Sequence, residues 1–164
     1  MRRLLLAVAV AAGCVTGALA AKHPAKPGTW TRYVNARFGF SVEYPAGAFV
    51  AERAPDNGDG RRYRAIRGAA RFSAWAGHNV LDETPRRWVA AMSADDCRHG
   101  RARYAVTGKA MAVVSCERRG EVLYAKRLWG HGKITAFQMT YPTGERGRWD
   151  MALARMAESL KAAR

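Results

Sequence analysis

Short runs of alternating apolar and polar residues, separated by tight-turn residues, restrict the fold of this chain more than any other feature. In the last of these runs, Phe137, Met139 and Tyr141 recur with a period of two. Such alternation is typical of a β-strand with one buried face. Short glycine-containing connections near positions 108, 120 and 131 join strands that are antiparallel neighbours. The predicted strands of this half lie at 102–106, 111–117, 121–129 and 134–141.

The first half of the sequence predicts three more strands. Phe38, Phe40 and Val42 alternate with small or polar residues, so we predict one strand over 35–45. The segment 55–60 is rich in Asp, Asn and Gly and predicts a turn, because Asn and Gly tolerate positive φ. The other two strands are predicted at 61–66 and 71–76.

Two amphipathic helices complete the predicted elements. Thr84 is a suitable N-cap, and Pro85 fits the first position of a helix that ends near Ala94. A second helix is predicted over 146–162. Its apolar stripe consists of Trp149, Leu153, Met156 and Leu160. Together these elements predict an α+β fold with a central antiparallel sheet of about six strands packed by helices.

The N-terminus has the pattern of an export signal. Two arginines precede an apolar stretch that is shorter than the ~20 residues needed to span a bilayer. A small-x-small pattern ends at Ala20, so we predict a signal peptide over 1–20 that is cleaved between Ala20 and Ala21. Residues 21–29 are then a flexible lead-in, and residues 30–164 form a single α+β domain.

This Sec-type signal predicts a periplasmic or secreted protein without a transmembrane segment in the mature chain. A second processing route stays open, because Ala11-Ala12-Gly13-Cys14 resembles a bacterial lipoprotein box. In that alternative, Cys14 is retained and acylated, and the segment 15–28 is a tether to a membrane.

Two cysteines remain after removal of the predicted signal. Cys97 and Cys116 form an even pair, which predicts one disulfide in an oxidising compartment. Closing a loop of that length contributes about 3 kcal/mol to stability in the chain-entropy model. The alternative is a zinc site that combines both cysteines with His99 and His131, although Cys97-Arg98-His99 is more tightly spaced than zinc-finger ligands.

The chain is strongly basic, with a formal net charge of +15. Such a surface attracts polyanions, with an affinity that falls as the salt concentration rises. Outside the cytoplasm these are lipid headgroups, lipopolysaccharide and acidic wall polymers. We therefore expect an anionic envelope polymer or a protein as the partner, and no nucleic acid. The alternative is that the excess arginine is solvated surface without a ligand.

Five arginines cluster on two predicted strands and the turn between them. They are Arg61, Arg62, Arg64, Arg67 and Arg71. A guanidinium offers a bidentate pair of donors to phosphate or carboxylate. We predict an anion-binding sheet face at these positions, with Arg101 and Arg103 as candidate additions. The alternative is a solvated strand face.

One stretch of the first half resembles a known family. Residues 33–45 combine the aromatic-Gly-aromatic motif Phe38-Gly39-Phe40 with a Tyr44-Pro45 end, and with the C-terminal strand and helix they resemble the PsbP-like group. The resemblance implies an antiparallel sheet between helices, in a group of mainly noncatalytic assembly, accessory and binding domains. It carries over no binding residues. The segment Asn57-Gly58-Asp59-Gly60 also resembles secreted proteins of proteobacteria.

Catalytic and cofactor motifs are missing from the sequence. Gly-x-Ser-x-Gly, His-Glu-x-x-His, the P-loop and the dinucleotide-binding fingerprint do not occur. We therefore predict a noncatalytic binding or accessory domain with no catalytic, metal or cofactor residues. One alternative is a small cell-envelope hydrolase, which needs His78, His99 or His131 beside a serine or a carboxylate. The other alternative is the lipid-anchored accessory factor.

Overall fold

The structure, a computed structural model, describes residues 28–98 and 101–164, and at 101–103 it describes the backbone alone. These residues form nine β-strands and two α-helices. The strands are β1 (Trp30–Val34), β2 (Ser41–Pro45), β3 (Phe49–Ala51), β4 (Gly60–Ala65), β5 (Arg71–His78), β6 (Arg101–Thr107), β7 (Met111–Arg118), β8 (Glu121–Gly130) and β9 (Lys133–Pro142). The helices are α1 (Pro85–Ala94) and α2 (Arg146–Ser159).

Seven of these strands form one antiparallel sheet in the order β3-β4-β5-β9-β8-β7-β6. The hairpin β4–β5 and the meander β6–β9 meet where β5 pairs with β9. The segment that contains α1 therefore carries the chain from β5 to the far edge of the sheet. Strands β1 and β2 form a separate two-stranded sheet. The predicted α+β class with a central antiparallel sheet is confirmed.

The main core lies on the face of the large sheet that packs against α2 and the β1–β2 hairpin, which we call the α2 face. Its centre is aromatic, and each of its largest members is at most 2% exposed. These are Phe40, Phe72, Phe137, Tyr141 and Trp149. Fully burying such a side chain contributes about 1.5–3 kcal/mol. The packing therefore explains why α2 and the hairpin lie on this face.

Helix α1 packs on the opposite face, which we call the α1 face, against β6 and β7. Trp88 joins Ala112, Val114 and Leu123 in a smaller second core. Helix α1 covers only the half of this face that β6, β7 and β8 form. Within the described part of the chain, α1 reaches the other half, formed by β4, β5 and β9, only at its edge, where Trp88 and Met92 approach Trp75 and Gln138.

The start of α1 and the disulfide are as the sequence predicts. The Thr84 hydroxyl accepts from the Arg87 N–H at 3.3 Å, and Pro85 is the first helical residue. Beyond the helix, Cys97 and Cys116 form a disulfide with their Cα atoms 5.8 Å apart, which is a usual separation. Two sulfurs joined in this way are not thiolate ligands, so the arrangement of the two cysteines favours the disulfide over the zinc alternative.

The single strand predicted over 35–45 is wrong in its first half. Residues 35–40 form a tight loop, and β2 begins only at Ser41. Asn35 holds this loop, since its Oδ1 accepts from the Phe38 N–H at 2.8 Å. The loop still directs Phe38 and Phe40 into the core. The alternation of apolar residues at 38 and 40 therefore results from burial of these side chains in a loop, and not from pairing in a strand.

Two further differences concern element lengths and number. The sheet has seven strands where about six were expected, because β3 spans three residues and is too short to show a periodicity. Helix α2 ends at Ser159 because the chain beyond it pairs with β2 through an antiparallel bridge between Lys161 and Ser41. The Ser159 hydroxyl also accepts from the Glu43 N–H at 2.8 Å.

Several sequence predictions lie outside the described residues. They are the signal peptide 1–20, its cleavage between Ala20 and Ala21, the acylation of Cys14, most of the lead-in 21–29 and the role of His99. Over the described ranges, no helix combines the length and the apolar character that crossing a membrane requires.

Candidate functional site

The uncovered half of the α1 face presents two rows of polar side chains, which we call the basic face. Its members are Arg62, Arg64, Arg71, Ser73, Gln138 and Thr140. In the first row Arg62 pairs with Ser73, which pairs with Gln138. In the second row Arg64 pairs with Arg71, which pairs with Thr140. Residues paired in this way point to the same face of the sheet.

Arg64 and Arg71 are direct cross-strand neighbours of like charge. Both are exposed, and within the described residues neither they nor Arg62 form an ion pair. Like charges directly opposite one another destabilise a sheet. An anion held between the two guanidinium groups would relieve this repulsion and accept their hydrogen bonds.

Two adjoining hollows open on the basic face. The larger one, of about 570 Å³, is bordered by the β3–β4 loop and by Arg62, Ser73 and Trp75. The smaller one, of about 230 Å³, contacts Arg71, Gln138 and Thr140. Glu52 lines both hollows and is the one carboxylate common to them. The lining is therefore polar, with arginine as its main charge.

Gly60 forms part of the floor of the larger hollow because no side chain fits there. A Cβ atom on this residue would lie 2.5 Å from the Ala74 carbonyl oxygen and 2.6 Å from the Trp75 Cβ. Such contacts are too short for any residue other than glycine. The close approach of β4 to β5 at this point therefore depends on glycine.

A cation–π stack separates the basic face from α1. The Arg127 guanidinium lies 5.4 Å from the ring centroid of Trp75 and 5.0 Å from that of Trp88. Arg127 is also paired with the Glu83 carboxylate. Arg127 therefore already contacts two aromatic rings and a carboxylate, whereas Arg64 and Arg71 form no ion pair among the described residues. Arg127 marks the border of the basic face.

A second concavity, of about 360 Å³, lies on the α2 face between α2 and strands β6 to β8, and we call it the α2 groove. Its apolar lining includes Met111, Val113, Val122, Leu153 and Ala157. Its polar lining consists of Tyr104, Ser115, Tyr124, Lys126, Tyr141, Asp150 and Glu158.

Burial perturbs two titratable groups of the α2 groove. It lowers the pKa of the Lys126 ammonium, although the Glu158 carboxylate acts in the opposite direction. Burial also raises the pKa of the Tyr124 phenol, and the neighbouring Tyr104 raises it further. The rings of the two tyrosines lie 6.4 Å apart. Tyr124 is therefore a neutral hydroxyl at physiological pH.

The arrangement of strands and helices matches a solved structure. The solution structure of cyanobacterial PsbP (CyanoP) from Synechocystis aligns with a TM-score of 0.59 and 12% sequence identity, over 89% of this chain and 99% of that one. The fold is PsbP-like. At this identity the match concerns the fold and carries no residue roles. No protein-family model and no curated protein matches the sequence.

On the PsbP-like sheet, the five clustered arginines do not share one face. Arg62 lies with Arg64 and Arg71, as described above. Arg61 lies on the opposite side of β4, because neighbours in a strand alternate between faces. Arg67 is exposed in the β4–β5 turn, where its carbonyl accepts a hydrogen bond from α2. The sheet therefore groups three of the five positions.

Arg101 and Arg103 do not join this cluster. Both belong to β6, which is four strands away from β5 in the sheet order. At ~4.8 Å per strand, their backbones lie on the order of 19 Å from β5. The two segments are alike in their arginine content, but the crossover through α1 places β6 at the far edge of the sheet from β4 and β5.

The histidines that a hydrolase would need do not meet a nucleophile in the described part of the chain. His78 lies near the end of β5, and its ring packs edge-on against Phe38 at 5.7 Å. Ser73 points to the other face of the same strand. His131 lies in the β8–β9 turn. Over 28–98 and 101–164, neither histidine hydrogen-bonds a serine or a carboxylate.

The α2 groove was not predicted from the sequence. Tyr124 and Lys126 are two positions apart on β8 and share one face of the strand, as residues of any strand at this spacing do. One available signal was Lys126 at the end of the apolar run from Val122 to Ala125, since lysine is rarely buried unless it has a partner. The rest of the groove depends on where α2 crosses the sheet, which local patterns do not encode.

Proposed function

We propose that this chain is a noncatalytic binding domain that works outside the cytoplasm and holds an anionic ligand on its basic face. The observation that carries the proposal is the exposed cross-strand pair Arg64 and Arg71, with Arg62 two residues along the same strand. These three like charges form no ion pair among the described residues, and they outnumber the Glu52 carboxylate that lines the same hollows, which favours binding of an anion.

The neutral members of the basic face suit the same chemistry. Ser73, Gln138 and Thr140 continue the two arginine rows and can donate hydrogen bonds to further oxygens of a phosphate or a carboxylate. Two rows of donors fit a ligand with repeated anionic groups better than a single small ion. We therefore propose an anionic envelope polymer as the ligand.

The proposed location rests on the export signal and on the disulfide. A structural disulfide between Cys97 and Cys116 is typical of an oxidising compartment. Mass spectrometry of the protein after expression distinguishes the two processing routes. Cleavage between Ala20 and Ala21 supports the periplasmic or secreted form, whereas an acylated Cys14 supports a lipid-anchored accessory factor.

A pull-down from cell-envelope fractions tests the proposal. We expect the wild-type protein to retain lipopolysaccharide, wall polymer or anionic lipid at low salt and to release it at high salt. The variant Arg62→Glu, Arg64→Glu should lose this capture. The matched control is Arg86→Glu, Arg87→Glu, which makes the same charge change at exposed positions of α1, and it should retain most of the capture.

Two outcomes of the pull-down contradict the proposal. Equal loss of capture in both variants means that total charge, and not the basic face, attracts the polymer. Capture of a single protein that persists at high salt points to an accessory role in which the arginines are solvated surface.

A further inference from the structure

The α2 groove has the dimensions of a small-molecule site. Its volume of about 360 Å³ falls within the ~300–1,000 Å³ typical of ligand pockets. Strands β7 and β8 form its floor, and Leu153 and Ala157 of α2 line it from the other side. Strands β7 and β8 are paired along their length, and α2 packs on the sheet, so the groove forms without a ligand. Most ligand pockets combine such an apolar lining with a few convergent polar groups.

Lys126 provides a half-buried hydrogen-bond donor in this groove. An ammonium carries three N–H groups, and the Ala157 carbonyl accepts one of them at 2.7 Å. Within the described residues Lys126 has no second hydrogen-bond partner. The two further N–H groups of the ammonium can donate to a ligand oxygen in the groove.

The charges around the groove disfavour an anionic ligand. Asp150 and Glu158 both line the groove, and the Tyr141 hydroxyl donates to Asp150 at 2.6 Å. With Lys126, the groove therefore contains one positive and two negative groups. A ligand carboxylate would add a third negative charge, whereas an uncharged carbonyl would accept from Lys126 without repulsion.

We propose that the α2 groove binds a small uncharged molecule with an apolar body and a carbonyl oxygen that accepts a hydrogen bond from Lys126. The body would lie over Val113 and Val122, beside the ring of Tyr124. This site is on the opposite face of the sheet from the basic face. It is therefore a second site, and it does not depend on the anion-binding proposal.

Fluorescence titration with Nile red, an uncharged dye with a ring carbonyl, tests the site. We expect the wild-type protein to bind the dye with a saturable increase in fluorescence. Ala154 is an exposed residue of α2 that lines the groove, so Ala154→Trp should fill it and weaken binding about tenfold or more. The matched control is Met151→Trp, which adds the same side chain at a position that is 87% exposed and outside the groove lining.

The control should bind the dye within about twofold of wild type, and both variants should unfold at the wild-type temperature because both positions are exposed. Absence of saturable binding to wild type overturns the proposal, as does equal affinity in the two variants. A competition experiment tests the ligand class: 2-decanone should displace the dye at a lower concentration than decanoate. Stronger displacement by decanoate overturns the uncharged assignment.

Discussion

Asn35 shows how one buried polar residue can organise a loop that the hydrophobic pattern conceals. It is 3% exposed. Its amide nitrogen donates to the Tyr33 hydroxyl at 3.0 Å and to the Gly58 carbonyl at 2.9 Å. The contact with Gly58 links the loop 35–40 to the β3–β4 loop that borders the basic face. Burying an amide is tolerated only when its hydrogen bonds are satisfied.

Asn35→Ala should destabilise the protein by about 2–4 kcal/mol, because it leaves the Phe38 N–H and the Gly58 carbonyl without their partner. Urea denaturation followed by circular dichroism measures the change. The control is Asn57→Ala. The side-chain amide of Asn57 is exposed and its hydrogen bonds within the described residues are with Asp59, so we expect a change within about 0.5 kcal/mol. Equal midpoints for the two variants would show that Asn35 does not hold the loop.

Glu43 makes stability depend on pH at the acid end. It accepts from Arg32 at 2.7 Å and from Arg155 of α2 at 3.3 Å. The hydrogen bond from Arg32 has the larger effect and that from Arg155 the smaller, and both lower the pKa of the Glu43 carboxyl below its ordinary value of 4.5. When the pKa of a carboxyl is lower in the folded state than in the unfolded state, the group stabilises the fold at pH values above its pKa in the unfolded state. This stabilisation is lost as the pH falls through the pKa in the folded state.

Glu43→Gln should therefore lower the unfolding temperature at pH ~7 and have little effect at pH ~2, where the wild-type carboxyl is also protonated. Thermal unfolding of both proteins across this range measures the difference. A difference that persists unchanged at low pH would mean that the ion pairs are not its cause.

At the scale of elements, α1 is attached to the sheet by Trp88 and by the disulfide that follows the helix. The bridge joins Cys97 to Cys116 of β7, so it connects the crossover segment to the half of the sheet that α1 covers. The helix is thus fixed at one end covalently and along one side by packing.

Replacing both cysteines with alanine should lower the free energy of unfolding by about 3 kcal/mol, the contribution expected for a loop of this length. Hydrogen exchange should show that protection falls more in α1 than in β5 and β9, which remain in the centre of the sheet. A uniform loss of protection over the whole domain would contradict this local role.

The elements themselves were largely predictable, whereas their lateral order was not. Thr84, Pro85 and the apolar stripe of α2 carry local signals, and both helices start where these indicate. Pairing of β5 with β9 is a contact between residues distant in sequence, and no local pattern encodes it. For that reason Arg62, Arg64 and Arg71 were found as a cluster, while Gln138 and Thr140 were not.

At the scale of the whole molecule, the helices of residues 28–98 and 101–164 cover each face of the large sheet only in part. Over these residues, α1 leaves most of the β4, β5 and β9 half of its face open, and this half is basic. On the other face, α2 and strands β6 to β8 border the α2 groove, whose lining combines apolar side chains with Lys126, Asp150 and Glu158. The basic face and the α2 groove differ in chemistry, so we expect them to bind different ligands.

The most direct test of the basic face is thermal unfolding of wild type and Arg64→Gln with and without saturating pyrophosphate. Without the anion, Arg64→Gln should be at least as stable as wild type, because it removes the repulsion from Arg71. With pyrophosphate at ~100 times its Kd, wild type should gain about 2.7 kcal/mol, and the variant should gain much less. If Arg64→Gln is destabilised without the anion and keeps the full gain with it, the basic face is not the anion site.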